Sequence, residues 1–153
     1  MTTSSYIETM RKRIGHAPLL LCGASAVIFS GERLLLQRRK DFGWWGHHGG
    51  SIELGERVED AVRREVREET GLQMVEIELL GAYSGPEFHL TYPNGDEAYF
   101  VDIAYICQRF EGELRAQQSE LEELQWFGFE SLPENISPVS RAIIRDAIAR
   151  VRI

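Results

Sequence analysis

The amino-acid sequence predicts an α/β (α+β) fold, and three observations carry that prediction. Apolar runs of strand length recur along the chain, bounded by Gly, Pro and Asn-Gly turn signals. Helix-patterned segments stand near the beginning, in the middle and at the end. The length of 153 residues, with 43% hydrophobic and 27% charged residues, suits one globular domain that buries a real core, taken here as residues 1–153.

The elements follow in order. Tyr6 to Ile14 reads as a short amphipathic helix. Leu19 to Phe29 and Arg33 to Arg38 are β-rich runs, and Ser30-Gly31-Glu32 between them reads as a hairpin turn. Asp41 to Ser51 is a Gly- and Trp-rich loop. Val58 to Glu69 contains helix formers, no Pro and no Gly, with Gly71 just beyond it as a stop. Met74 to Tyr83 is a strand, and Gly85 to Glu97 is a long loop marked by Pro86, Pro93 and Asn94-Gly95. Ala98 to Phe110 and Glu123 to Phe129 are strands, and Pro138 to Arg150 closes the chain as a helix.

Composition excludes some functions. The longest apolar stretch, Ala17 to Phe29, is too short to span a bilayer, so no membrane association is expected. The first residues lack the apolar core of a signal peptide. Cys22 and Cys107 lie in apolar runs and read as buried free thiols, which points to a reducing, cytoplasmic setting. A net charge of −7 argues against a broad nucleic-acid-binding surface. It does not argue against a small anionic substrate. Arg38, Arg39 and Lys40 form the basic cluster nearest the candidate site, and phosphate contact is an alternative there to a solvated strand end.

The most informative stretch is GGSIELGERVEDAVRREVREETGL, residues 49–72. At about 100° per residue, Val58, Val62, Glu65 and Glu69 share one narrow face with Ala61 beside them. Arg57, Asp60, Arg63 and Arg67 fall mostly on the other side, and Glu68 flanks the two inward glutamates. Carboxylates aimed at a packed face are costly unless paired, and neighbouring ones repel. A hard divalent cation, Mg²⁺ or Mn²⁺, relieves both costs. Before the helix, Gly49, Gly50 and Gly55 permit a tight turn and close approach to a ligand. A carbonyl freed there is a further candidate ligand. Glu56 at the helix start suits the helix dipole and is within reach of Arg64.

The same stretch fills the pattern G-x5-E-x7-R-E-U-x-E-E-x-G-U, U being aliphatic, with Gly50, Glu56, Arg64, Glu65, Val66, Glu68, Glu69, Gly71 and Leu72. Chance assembly of those positions is on the order of one in ten million from background usage, so the match carries weight. It resembles the signature of the Nudix hydrolases. LLLCGASAVIF, GERLLLQRR and WWGHHGG before it, and the last helix after it, resemble the same family, so the likeness covers most of the chain.

That resemblance implies an α/β/α sandwich around a mixed β-sheet, with the signature as a loop–helix–loop. It implies Mg²⁺- or Mn²⁺-dependent cleavage of a nucleoside diphosphate linked to another group. Carried onto this chain, Glu65, Glu69 and Glu68 resemble metal ligands, with the Gly49 carbonyl as a further one. Glu56 and Arg64 resemble the pair that positions the glutamates. The general base is expected to be Glu65 or a glutamate outside the signature, Glu120 or Glu123, with Glu120 preferred. The family often has an apolar residue and Pro before Gly-Gly. His47 and His48 hold those places here, which frees the loop; loop histidines there either touch phosphate or metal or do neither.

Phe88 and Tyr92 in the long loop are candidates for stacking on a base; Trp44, Trp45 and Tyr99 fit a core cap or an interface as well. The substrate expected is a nucleoside triphosphate or an ADP-ribose-like compound, the latter hinted at by Pro86 beyond the signature. Dinucleoside polyphosphates, nucleotide sugars and capped RNA rank lower, and the acidic balance disfavours the last. A homodimer is common in the family. The alternative reading is a non-catalytic nucleotide-sensing module, which the intact glutamates oppose.

Overall fold

A computed structural model of the chain describes residues 5–115 and 121–152. The elements are α1 (Ser5–Ile14), β1 (Leu19–Ser30), β2 (Arg33–Arg39), β3 (Trp45–Gly46), β4 (His48–Ser51), α2 (Val58–Thr70), β5 (Gln73–Tyr83), β6 (His89–Thr91), β7 (Glu97–Glu111), β8 (Leu121–Gly128) and α3 (Pro138–Val151).

The long strand β1 organises the molecule. Leu19 to Ile28 run parallel to Ala98 to Cys107 of β7 along one edge. On the other edge, Gly23 to Ala26 pair antiparallel with β4, and Phe29 and Ser30 turn into β2. β5 and β6 add antiparallel to β7, and β8 adds antiparallel to β2. The sheet is therefore mixed, as expected.

Strand side chains alternate between faces, and β1 is covered on both. Ala24, Ala26 and Ile28 face α2, where they pack with Ala61, Val62, Val66, Tyr105 and Cys107. Val27 and Phe29 face α3, with Ile143, Ile144 and Ala147. That is why β1 reads as one continuous apolar run. The start of β1 instead packs Leu19 and Leu21 against Tyr6, Ile7, Met10 and Ile14 of α1.

Three expectations are corrected. The stretch 41–51 is not all loop: β3 and β4 lie in it, because Gly49 lets β4 approach β1 more closely than a side chain allows. A Cβ at Gly49 would stand 2.5 Å from the Ala24 carbonyl oxygen. The stretch 85–97 holds β6, which hydrogen-bonds to β7 and buries Phe88. Cys107 is buried under α2 as expected, but Cys22 is exposed. Among the described residues no helix is long and apolar enough to cross a membrane.

Candidate functional site

Helix α2 carries the site. Its start at Val58 follows the extended Arg57, and Gly71 ends it in the left-handed conformation at φ 81°. Its inward face is Ala61, Val62, Glu65, Val66, Glu69 and Thr70. Glu65 and Glu69 are 3% and 1% exposed, so both glutamates point where the angular argument places them.

Arg64 ties the cluster together. Its Nε donates to Glu56 Oε2 at 2.8 Å and its Nη2 to Glu56 Oε1 at 2.9 Å. Its Nη1 donates to Glu65 Oε1 at 2.9 Å and lies 3.6 Å from Glu68. Its Nη2 also reaches the Ser51 carbonyl, fastening the helix to the glycine turn. Arg64 in turn holds the Glu56 carboxyl below the usual range. Glu65 goes the other way: burial pushes it up to about 7, against the pull of Arg64. Its carboxylate occupies the space a side chain at Gly50 would need, because a Cβ there would lie 2.5 Å from Glu65 Oε1.

Glu69 sits behind the turn. The Gly49 N–H donates to its Oε2 at 3.0 Å, and Gln37 Nε2 donates to its Oε1 at 3.0 Å. The far end of Gln37 places Oε1 3.0 Å from His48 Nδ1, and His48 Nε2 lies 3.1 Å from the Leu35 carbonyl oxygen. A carbonyl only accepts, so His48 Nε2 carries a proton. Facing Gln37 Oε1 as well would require an imidazolium, yet complete burial pushes His48 down to about 3. Turning the Gln37 amide over satisfies a neutral imidazole and makes Glu69 the donor at the other end. Burial and the neighbouring Glu65 do push Glu69 up, to about 8. In that arrangement His48 is neutral and Glu69 is the protonated end of the Glu69–Gln37–His48 chain. The expected loop histidine His48 is a core residue that supports this glutamate from behind.

Glu65 Oε2 and Glu68 Oε2 are buried without a hydrogen-bond partner. Among the described residues no three His, Cys, Asp or Glu side chains converge on one point at metal-ligand range. Arg64, Gln37 and the Gly49 N–H hold the carboxylates apart instead. The donor chemistry still fits a hard cation, because carboxylate oxygens are left unmet next to a turn that brings backbone close.

The remaining candidates divide. Arg39 forks onto Asp41 at 3.0 and 2.7 Å; Arg39, Lys40 and Tyr92 all line the main cavity beside the turn. Phe88 lines it too, but it is a core residue packed on the α3 side rather than an open platform. Arg38 pairs with Glu123 at 2.9 Å and lies over the Trp45 ring, so Glu123 is engaged with an arginine. Trp45 packs on Phe127, and Trp44 stacks on Phe42 at 4.3 Å. Glu120 lies outside the described residues.

The cavity holds about 630 Å³. Ser25, Gln37, Asp102 and Ser140, none of them expected, belong to its lining. One signal in the sequence pointed to Asp102: it is an acid inside the apolar run AYFVDIAYIC.

Comparison with known proteins fits this arrangement. A NUDIX domain matches residues 21–147. The NAD-capped RNA hydrolase NudC of Pseudomonas aeruginosa is 31% identical over 133 residues, covering 86% of this chain and 44% of that protein. The ADP-ribose pyrophosphatase of Methanocaldococcus jannaschii is 36% identical over 111 residues, covering 71% of this chain and 62% of that protein. The crystal structure of a MutT NUDIX hydrolase from Burkholderia pseudomallei superposes with a TM-score of 0.73 at 30% identity, over 84% of this chain and 98% of that one. The chain spans about half the length of the NudC relatives it matches, 44% of one and 49% of another. With the signature on a loop–helix–loop and the mixed sheet around it, the chain belongs to the NUDIX domain family, the Nudix hydrolases.

Proposed function

We propose that residues 1–153 form a Mg²⁺- or Mn²⁺-dependent pyrophosphohydrolase domain acting on the diphosphate linkage of a nucleotide. The observation that carries this reading is the buried carboxylate set of α2, with its unmet oxygens, at the rim of a nucleotide-sized cavity. Glu65, Glu68, Glu69 and the Gly49 carbonyl would hold the cation. When bound, it supplies neutralisation of the phosphate oxygens and a lowered pKa for bound water.

The chain's own residues do the rest. Arg64 keeps Glu65 and Glu56 in fixed positions at the turn. Glu65 would act as the general base among the described residues, and burial pushes its carboxyl up to about 7 in the metal-free chain. Glu69 must give up its proton to act as a ligand, so metal binding releases a proton and tightens as pH rises. Cleavage yields a nucleoside monophosphate and the phosphorylated leaving group, or pyrophosphate from a triphosphate.

Nucleoside triphosphates and ADP-ribose-like compounds head the substrate range. The names of the relatives add a nucleotide joined to the end of an RNA as a second reading. The test is a phosphate-release screen with Mg²⁺ or Mn²⁺ over triphosphates, ADP-ribose, NAD, nucleotide sugars and dinucleoside polyphosphates. Turnover of none of them would overturn the hydrolase reading in favour of a nucleotide-sensing module.

A further inference from the structure

The cavity beside Gly50 carries a second set of polar groups that the glutamate cluster does not use. His47, Asp102 and Ser25 line it. The side chain of His47 is 6% exposed and that of Asp102 14%. Ser25 is buried as well. Each has a buried polar atom with no hydrogen-bond partner: His47 Nε2, Asp102 Oδ1 and Ser25 Oγ. Buried polar groups are normally satisfied, and orphans gathered in one cavity mark a place where a ligand supplies the partner.

The roles at this place are set by neighbours. Ser140 Oγ accepts the His47 backbone N–H at 3.3 Å and lies 2.7 Å from His47 Nδ1. The Ser140 hydroxyl can donate to Nδ1, and in that arrangement Nε2 is the ring's donor. That Nε2 stands 3.5 Å from Asp102 Oδ2, so a donor and an acceptor lie side by side.

The glycine turn and Asp102 are neighbours in the cavity. A Cβ at Gly23 would be 3.5 Å from the Gly50 carbonyl oxygen and 3.7 Å from Asp102 Oδ1, so no side chain separates the catalytic turn from Asp102. The aromatic rings of Phe42, Trp44 and Tyr92 line the same cavity. A carboxylate repels phosphate, which confines the diphosphate to the glycine turn and directs the uncharged part of the substrate toward Asp102.

We propose that His47 and Asp102 are specificity-determining residues that read the nucleoside half of the substrate. They do so as a donor–acceptor pair that engages an adjacent acceptor and donor on it, either the ribose 2′,3′-diol or the hydrogen-bonding edge of a nucleobase. This rests on the hydrolase reading above and adds the recognition of the nucleoside to it.

The experiment is titration calorimetry with Mg²⁺ on the wild type and Asp102→Asn. The probes are AMP and IMP, their 2′-deoxy forms, and purine riboside 5′-monophosphate, whose base lacks the 6-substituent. Removing the group that is read should weaken wild-type binding by about tenfold or more, the range for a hydrogen bond to a charged group. Asp102→Asn should weaken the intact ligand by a similar factor and then be indifferent to the deletion. Coupling to the 2′-hydroxyl assigns the diol, and coupling to the 6-substituent assigns the base. Asp102→Asn binding every probe as the wild type does, or weakening all by one common factor, would overturn the proposal. Should Asp102→Asn fail to fold by thermal melting, His47→Gln carries the same test. A wild type that hydrolyses a diphosphate but binds none of the probes refutes this inference alone. A wild type that does neither refutes the hydrolase reading as well.

Discussion

Replacing Glu69 by Gln separates the two things this side chain does. In the folded chain without metal, burial and Glu65 raise its pKa from 4.5 to about 8. The folded state therefore binds the proton more tightly than the unfolded state. The resulting stability is complete below pH 4.5 and is lost as pH rises toward 8. Gln has the shape of the protonated acid and cannot ionise. Its carbonyl can still accept the Gly49 N–H, and its amide can donate to Gln37, whose other end then donates to His48. The metal-free variant should match the wild type at pH 5 and exceed it at pH 8 by about 1 kcal/mol or more, the cost of leaving a buried charge poorly met. For a domain of this size that is about 2–4 °C in Tm. Turnover should fall at least about a hundredfold, equivalent to about 2.7 kcal/mol, because a neutral amide is a weak ligand for a hard cation. Melting curves in EDTA at the two pH values and a phosphate-release assay read both effects. Turnover within about threefold of the wild type would refute the ligand assignment, and a lower melting point at pH 8 would refute the protonation argument.

Other perturbations test the surrounding parts. Arg64→Lys keeps the charge but loses the fork that spans Glu56 and Glu65; turnover should drop about 10–100-fold, and the acidic limb of the pH–rate profile should move up, since Glu65 loses part of the pull that lowers its pKa. Gly50→Ala should displace the Glu65 carboxylate and lower turnover more than stability, whereas Gly49→Ala meets Ala24 and Ser25 backbone and should cost about 1–3 kcal/mol in urea unfolding. His48, neutral and buried, is held down at about 3. The unfolded state takes up its proton below about 6.5, so this contribution to stability is full above that pH and declines as pH falls, by at most about 1.4 kcal/mol per unit. A His48→Asn variant should lose that part of the acid sensitivity in urea titrations at pH 7 and 5.

The local parts of the site were legible because they obey short-range periodicities. The inward turn of Glu65 and Glu69 follows from the 3.6-residue repeat, and the left-handed Gly71 from its place after the last apolar position. The apolar run Leu19 to Phe29 announced the strand β1. The misjudged parts depend on partners far away in the chain. His48 looked like a loop residue because nothing nearby marks its burial; it is enclosed by β4 pairing with β1 and by Gln37 and Leu35 of β2. Phe88 and β6 were hidden in a stretch with loop composition, and β7 drew them in. Cys22 and Cys107 occupy similar apolar runs, yet Cys107 packs in the cluster with α2 and Cys22 is exposed.

The sequence by itself determined the family and the signature helix, because both reside in one contiguous stretch governed by helical geometry. The tertiary structure alone decided what lies behind those carboxylates, Gln37 and His48, and that His47 stands beside Asp102 in the cavity. Those contacts join residues from β2, β4, α2 and β7 and the residue between β3 and β4, and their chemistry exists only once the sheet has brought the strands side by side.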